Sequence, residues 1–186
     1  MVDSRAASRY VKSLLSLAVE KNALEAVHGD MLMFSKVVEE NRQFELLLKN
    51  PIIKHEKKRD ILEKVFAGRV HPLTMAIFDI LTRKNREPLL PAIAKEFHTA
   101  YNVHQGIEKA TITSAVPLDA ELRTEFENIV KKLSAKDKVE LIEKVDKDII
   151  GGFVLNVGDK QVDASIKNKL KALKVKFSHN PYIKEF

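Results

Sequence analysis

At 186 residues, 45% hydrophobic and 31% charged, the chain can form one large domain or two small ones with usable cores, and it is rich in helix formers. Having no cysteine, it makes no disulfides, thiolate nucleophiles or Cys-based zinc sites, and no apolar run approaches the ~20 residues that span a bilayer. The net charge of +6 is thinly spread: residues 1–105 carry 17 basic and 13 acidic side chains and residues 106–186 carry 15 and 13, a weak footprint for nucleic acid.

In chain order, Met1–Ala7 lacks the apolar core of a secretory signal, and Asp3 argues against a transit peptide. A reducing cytoplasm, or an organelle matrix after processing, is the expected home. Ala7, Tyr10, Val11, Leu14, Leu15 and Ala18 recur at helical spacing after an Asp3 or Ser4 cap. Leu24, Val27, Met31, Phe34 and Val38 alternate steps of three and four, a narrow stripe suited to a helix with a near-parallel or antiparallel neighbour. A short helix around Phe44–Leu48 stops at Asn50-Pro51. A fourth carries Ile61, Leu62, Val65 and Phe66 and ends at Gly68. Pro72 opens a fifth with Leu73, Ala76, Ile77, Ile80 and Leu81. Leu90, Ala94, Phe97, Tyr101 and His104 mark a sixth, closed by Gly106. Basic residues concentrate only at Lys54–Arg59 and Arg83–Arg86, at helix boundaries with interleaved Glu or Asn, which reads as a solvated face.

After Gly106 the period changes. Ala110, Ile112 and Ser114 alternate against Lys109, Thr111 and Thr113, which predicts a strand over 107–116 ending at Pro117. Asp119 can cap a helix with Leu122, Phe126, Ile129, Val130 and Leu133 on one face. Val139, Leu141 and Val145 give a second strand, and Phe153, Leu155 and Val157 a third, with Gly151-Gly152 as a kink between apolar strand segments. Gly158-Asp159 makes a hairpin turn into a short edge strand. Asp163 caps a last helix striped by Ile166, Leu170, Leu173 and Phe177. The expected fold is α+β in two domains: an all-α six-helix bundle over 1–105 and a smaller α/β domain over 106–186.

Chemistry finds little support. Gly151-Gly152 lacks the spaced glycines and the Lys-Ser or Lys-Thr of a phosphate-binding loop. The histidines at 28, 55, 71, 98, 104 and 179 show no metal-ligand spacing. Asp146, Asp148, Asp159 and Asp163 surround the glycines without the regular spacing of a calcium loop, so turns and caps are their expected roles. No nucleophile elbow is present. The expectation is a non-enzyme with no cofactor and no metal.

Arg9-Tyr10 with Leu14, Asn50-Pro51, Asn85-Arg86 followed by Phe97, Thr113–Leu118 and above all Val145–Leu170 occur in the order and wording of one family. Together they resemble the ATP synthase delta subunit family, called the oligomycin-sensitivity-conferring protein in mitochondria. The structural signature is Asp146, Gly151, Gly152, Gly158 and Asp163, with Ser165. Val11 departs from the pattern, which often has alanine there. The resemblance implies a stator linker that holds the catalytic head against rotor torque. It implies that the N-terminal domain binds the N-terminal helix of an alpha subunit through the first and fifth helices, with Tyr10, Leu14, Leu17, Ala76, Asp79, Ile80 and Arg83 as candidate contacts. The C-terminal domain would bind the C-terminus of the stalk b subunit, on the cytoplasmic face of a bacterial inner membrane. The alternative reading is a basic helical nucleic-acid-binding protein with an appended α/β module.

Overall fold

The computed structural model describes the backbone of residues 2–134, 136 and 138–178, with side chains from residue 6 onward. The capping expected of Asp3 or Ser4, and His179, lie outside those described side chains. The fold is α+β. Its helices are α1 (Val2–Glu20), α2 (Leu24–Glu40), α3 (Arg42–Lys49), α4 (His55–Phe66), α5 (Pro72–Arg83) and α6 (Leu90–Gln105), then α7 (Ala120–Ser134) and α8 (Ile166–Ser178). The strands are β1 (Ile107–Ser114), β2 (Lys138–Val145), β3 (Phe153–Val157) and β4 (Lys160–Asp163). The chain divides into two compact units between His104 and Gln105.

In the first unit one core draws residues from α1 to α6. On α1 it takes Ala7, Val11, Leu14 and Ala18, and on α2 Val27, Met31, Phe34 and Val38, each at steps of three or four. At its centre the rings of Phe34, Phe66 and Phe78 lie 5.1–5.6 Å apart in tilted and edge-on contacts, the arrangement that ring quadrupoles favour. Two helices close alike. Asn22 and Asn85 adopt positive φ, with Ala23 N–H donating to the Ala18 carbonyl after α1 and Arg86 N–H to the Leu81 carbonyl after α5. Asparagine tolerates this left-handed turn, and the crossed bonds satisfy carbonyls that the helix end leaves open.

α5 buries Ile77 and Leu81 of the expected stripe but is turned away from Ala76 and Ile80. Thr74, Ile77, Phe78, Leu81 and Thr82 point inward, while Ala76 and Ile80 are exposed. Threonine is admitted because its hydroxyl is satisfied: Thr74 Oγ1 donates to Asp30 Oδ2 at 2.6 Å and Thr82 Oγ1 to the Phe78 carbonyl. Asp30 Oδ2 also accepts from the His71 amide at 2.7 Å. A carboxylate on α2 thus sits at the N-terminus of α5, where the helix dipole favours it.

The expected solvated face at Lys54–Arg59 is corrected at one residue, Lys58. Lys58 is 4% exposed and its Nζ donates to the Leu48 carbonyl at 3.0 Å. It lies 3.8 Å from Oε2 of Glu87, itself 3% exposed, on the 3₁₀ turn before α6. Arg59 reaches across to Asp79 on α5. Neither partner is near in sequence, so a charge-run reading could not find them.

The second unit is a four-stranded sheet in the order β2-β1-β3-β4. β1 and β2 run parallel, joined through α7, and β1–β3 and β3–β4 pair antiparallel. Ala110, Ile112, Leu141, Leu155 and Val157 form one core with Phe126 and Val130 of α7. The β1 alternation falls as its sequence predicts, with Ala110, Ile112 and Ser114 inside. Of the expected α7 stripe, Leu122, Ile129 and Leu133 are exposed. A sheet this small covers only a narrow line of that helix.

Candidate docking surfaces

On the first unit, α1 and α5 pack together with their outer faces open. Of the candidate contacts, Leu17, Ala76, Ile80 and Arg83 are exposed, Ile80 at 45%. Leu14 is corrected: at 3% exposure it belongs to the core, because its position on α1 continues the Ala7–Val11–Ala18 stripe. Tyr10 is half-buried against the core, and its hydroxyl accepts from Arg86 Nη1 at 2.8 Å. Asp79 joins two cations, Arg59 at 3.0 Å and Arg83 at 2.7 Å. The outer face of α5 is therefore apolar at Ala76 and Ile80, beside two arginines that share one carboxylate.

On the second unit the glycine pair is not a kink between two strand segments. The residues before it form a 3₁₀ turn, Lys147–Ile149, whose start is capped by Asp146 Oδ1 accepting from the Asp148 amide at 2.9 Å. Ile150 then takes φ 68°, and the glycines make a bend that leads into β3. Gly152 has φ 77°, and a Cβ there would stand 2.5 Å from the Ala164 carbonyl oxygen. A Cβ on Gly151 would stand 2.8 Å from Ile166 Cδ1. Both glycines are close-approach residues, holding the β3 entrance against the start of α8. The Gly151 carbonyl accepts from Ile166 N–H at 3.0 Å, which fastens the two segments. Gly158, at φ 54°, makes the tight β3–β4 turn with Asp159.

The cap of α8 is also corrected. Ser165, not Asp163, stands immediately before the helix, and its Oγ accepts from Asn168 N–H at 3.2 Å. Asp163 makes the turn ahead of it, Oδ1 accepting from Ser165 N–H at 2.9 Å. The Ser165 hydroxyl, then its amide, hold the Asp163 carboxyl below its ordinary range. Because the folded pKa is the lower one, this contribution is complete above the unfolded value of ~3.9 and is lost as pH falls through the folded pKa. In an NMR titration, Ser165→Ala should move the Asp163 midpoint upward; an unmoved midpoint would contradict the assignment.

α8 itself has no buried residue. Ile166, Leu170, Leu173 and Phe177 are all exposed, Phe177 at 85%. Five lysines and no acidic residue flank them between 166 and 178. An apolar stripe at helical spacing, open along its length, is the form in which one helix meets another.

Two of the histidines not expected to share a site do meet. His28 Nε2 and His98 Nδ1 are 2.9 Å apart, and His28 stacks on Tyr101 with ring centroids 3.7 Å apart. Seventy residues separate the two histidines, so no spacing rule finds them. Among the described residues no group of three or more His, Asp or Glu is placed to hold a metal, and no helix is long and apolar enough to cross a membrane.

Known proteins share this chain's sequence and fold. The sequence profile of the ATP synthase delta (OSCP) subunit matches residues 6–177. ATP synthase subunit delta from Cytophaga hutchinsonii is 40% identical over 178 residues, 96% of this chain and 97% of the relative. The same subunit from Christiangramia forsetii is 39% identical, covering 98% of each. A chain of the Toxoplasma gondii mitochondrial ATP synthase hexamer has the same fold, with TM-score 0.74 at 21% identity over 97% of this chain and 99% of that one. A profile spanning both units, and relatives matched nearly end to end, leave one conclusion: the chain belongs to the ATP synthase delta (OSCP) subunit family and is a non-catalytic stator subunit of the rotary enzyme.

Proposed function

We propose that the two units grip the two ends of a static tether. Residues 1–105, as a six-helix bundle, seat the N-terminal helix of an alpha subunit on the α1/α5 face. Residues 106–186 hold the C-terminus of the stalk b subunit, with α8 as the natural seat. The assembly sits on the cytoplasmic face of a bacterial inner membrane, which the chain touches only through the complex. The role needs no chemistry at this subunit. Rotor torque would turn the catalytic head uselessly without a fixed attachment, and an attachment needs complementary surface at each end. The observation that carries the reading is exposed apolar side chains at helical spacing on each unit: Ile80 and Ala76 on one, the α8 stripe on the other.

The test uses the full-length chain and a synthetic alpha-subunit N-terminal peptide. Ala76→Glu should weaken peptide binding by about tenfold or more in calorimetry, since a charge is desolvated in an apolar contact. As an exposed substitution it should change stability by no more than ~0.5 kcal/mol. Unchanged affinity with a large fall in Tm would instead make Ala76 a structural residue. Salt separates the nucleic-acid alternative, since phosphate binding falls steeply with ionic strength through counterion release. Helix docking on an apolar face should depend on salt far less.

A further inference from the structure

We propose that a cavity at the junction of α1 with the α5–α6 link receives a carboxylate side chain of the docked partner helix. The inference rests on the docking reading above and adds a specificity determinant to it. The cavity has a volume of about 530 Å³, and Arg9, Tyr10, Asn85 and Arg86 line its polar side. Ala6 and Leu89 contribute apolar wall. Two guanidinium groups thus share one cavity, and among the described residues no aspartate or glutamate lines it.

That imbalance is local. Elsewhere in the bundle Arg59 of α4 and Arg83 of α5 share one carboxylate, Asp79. In the cavity between α2, α3 and α6, Arg42 and Lys95 share the walls with Glu39 and Glu45. By contrast, among the described residues neither Arg9 nor Arg86 forms an ion pair. Two like charges around one space repel each other, and a bound anion relieves the repulsion.

The hydrogen-bond chemistry has the same sign. Arginine donates only. Tyr10 Oη already accepts from Arg86 Nη1, and its own proton is given to no acceptor among the described residues. The wall therefore offers at least three donor groups: two guanidiniums and a phenol. Arg86 is held in place from two directions. Its side chain is tied to Tyr10, with the guanidinium 6.0 Å from the ring centroid. Its backbone is fixed by the Asn85 left-handed turn, through the bond to the Leu81 carbonyl. A pre-positioned planar fork suits a carboxylate better than a mobile lysine would.

A cavity of this size with apolar walls accommodates an acidic side chain and its stem. Asn85 and Arg86, which line the cavity, directly follow the C-terminal end of α5. A helix lying along α1 and α5 would extend into the cavity.

The experiment is a double-mutant cycle on the full-length chain. Calorimetry measures wild type and Arg9→Gln, each against the alpha-subunit N-terminal peptide and against the same peptide with every Asp and Glu replaced by Asn and Gln. Arg9 is exposed and pairs with no acidic group among the described residues, so its replacement should leave Tm unchanged. The expected result is about tenfold weaker binding for either change alone, and little further loss when both are combined. Equal losses from Arg9→Gln with both peptides would overturn the inference while leaving docking intact. No binding of either peptide to wild type would overturn docking and the inference together. Inorganic phosphate is the third probe. Saturable phosphate binding abolished by Arg9→Gln, with the two peptides bound equally well, would assign the cavity to a free anion and also overturn it.

Discussion

Gly152→Val is expected to unfold the second unit's α8 attachment and leave the first unit standing. The residue is in the left-handed region at φ 77°, and an added Cβ would sit 2.5 Å from the Ala164 carbonyl oxygen and 3.2 Å from Ser165 Cα. All of these neighbours are backbone, so none can rotate away. Strain of this type costs roughly 1–3 kcal/mol before any displacement, and valine's branched Cβ is least suited to it. What must move is Ala164–Ser165, the segment that caps α8. The variant should lose hydrogen-exchange protection across β3, β4 and α8 and should lose stalk-peptide binding, while alpha-peptide binding stays intact. Gly158→Ala is the internal control. It too has positive φ, but its Cβ would meet only the carboxylate end of Glu108 at 3.1 Å, which can swing aside. If the two variants lose equal protection, close backbone approach at Gly152 is not the determining factor.

A comparable loss is expected in the first unit from Lys58→Ala. The substitution leaves the Glu87 carboxylate buried without its cation and removes the donor to the Leu48 carbonyl. Stranding one partner of a buried ion pair costs about 3–5 kcal/mol. For a unit of this size, each kcal/mol lowers Tm by roughly 4–8 °C. The double variant Lys58→Met with Glu87→Leu should recover most of that loss, because an apolar pair of similar volume avoids desolvating two charges. Thermal melts of the three proteins followed by circular dichroism test this. A double variant as unstable as Lys58→Ala would mean that packing, not the stranded charge, sets the effect.

These two sites differ in how visible they are in the sequence. Adjacent glycines in a β-like context announce a special backbone, and the prediction of close approach follows from them. Their setting, a 3₁₀ turn leading to a bend and not a continuous strand, does not, because Asp146 redirects the chain through its own side-chain cap. Lys58 gives no signal. It sits in a run of charges, and only the arrival of Glu87 from twenty-nine positions away makes its burial tolerable. The stripes on α1 and α2 were legible because periodicity is a local property. The inward turn of Thr74 was not, since its buried hydroxyl depends on an acceptor, Asp30, that only the fold supplies. For the same reason the surface candidates were partly legible. Ala76, Ile80 and Arg83 share one face by spacing alone, but whether Leu14 faces in or out depended on its neighbours.

The carboxylate of Asp30 at the start of α5 bears on the order in which the chain matures. Residue 30 leaves the ribosome well before residue 72, so its cap must wait for a helix that does not yet exist. The first turn of α5 is finished only when a partner forty-one positions upstream is already in place. In a growing chain this cap is made between two helices and not within one, so it forms no earlier than the contact of α2 with α5.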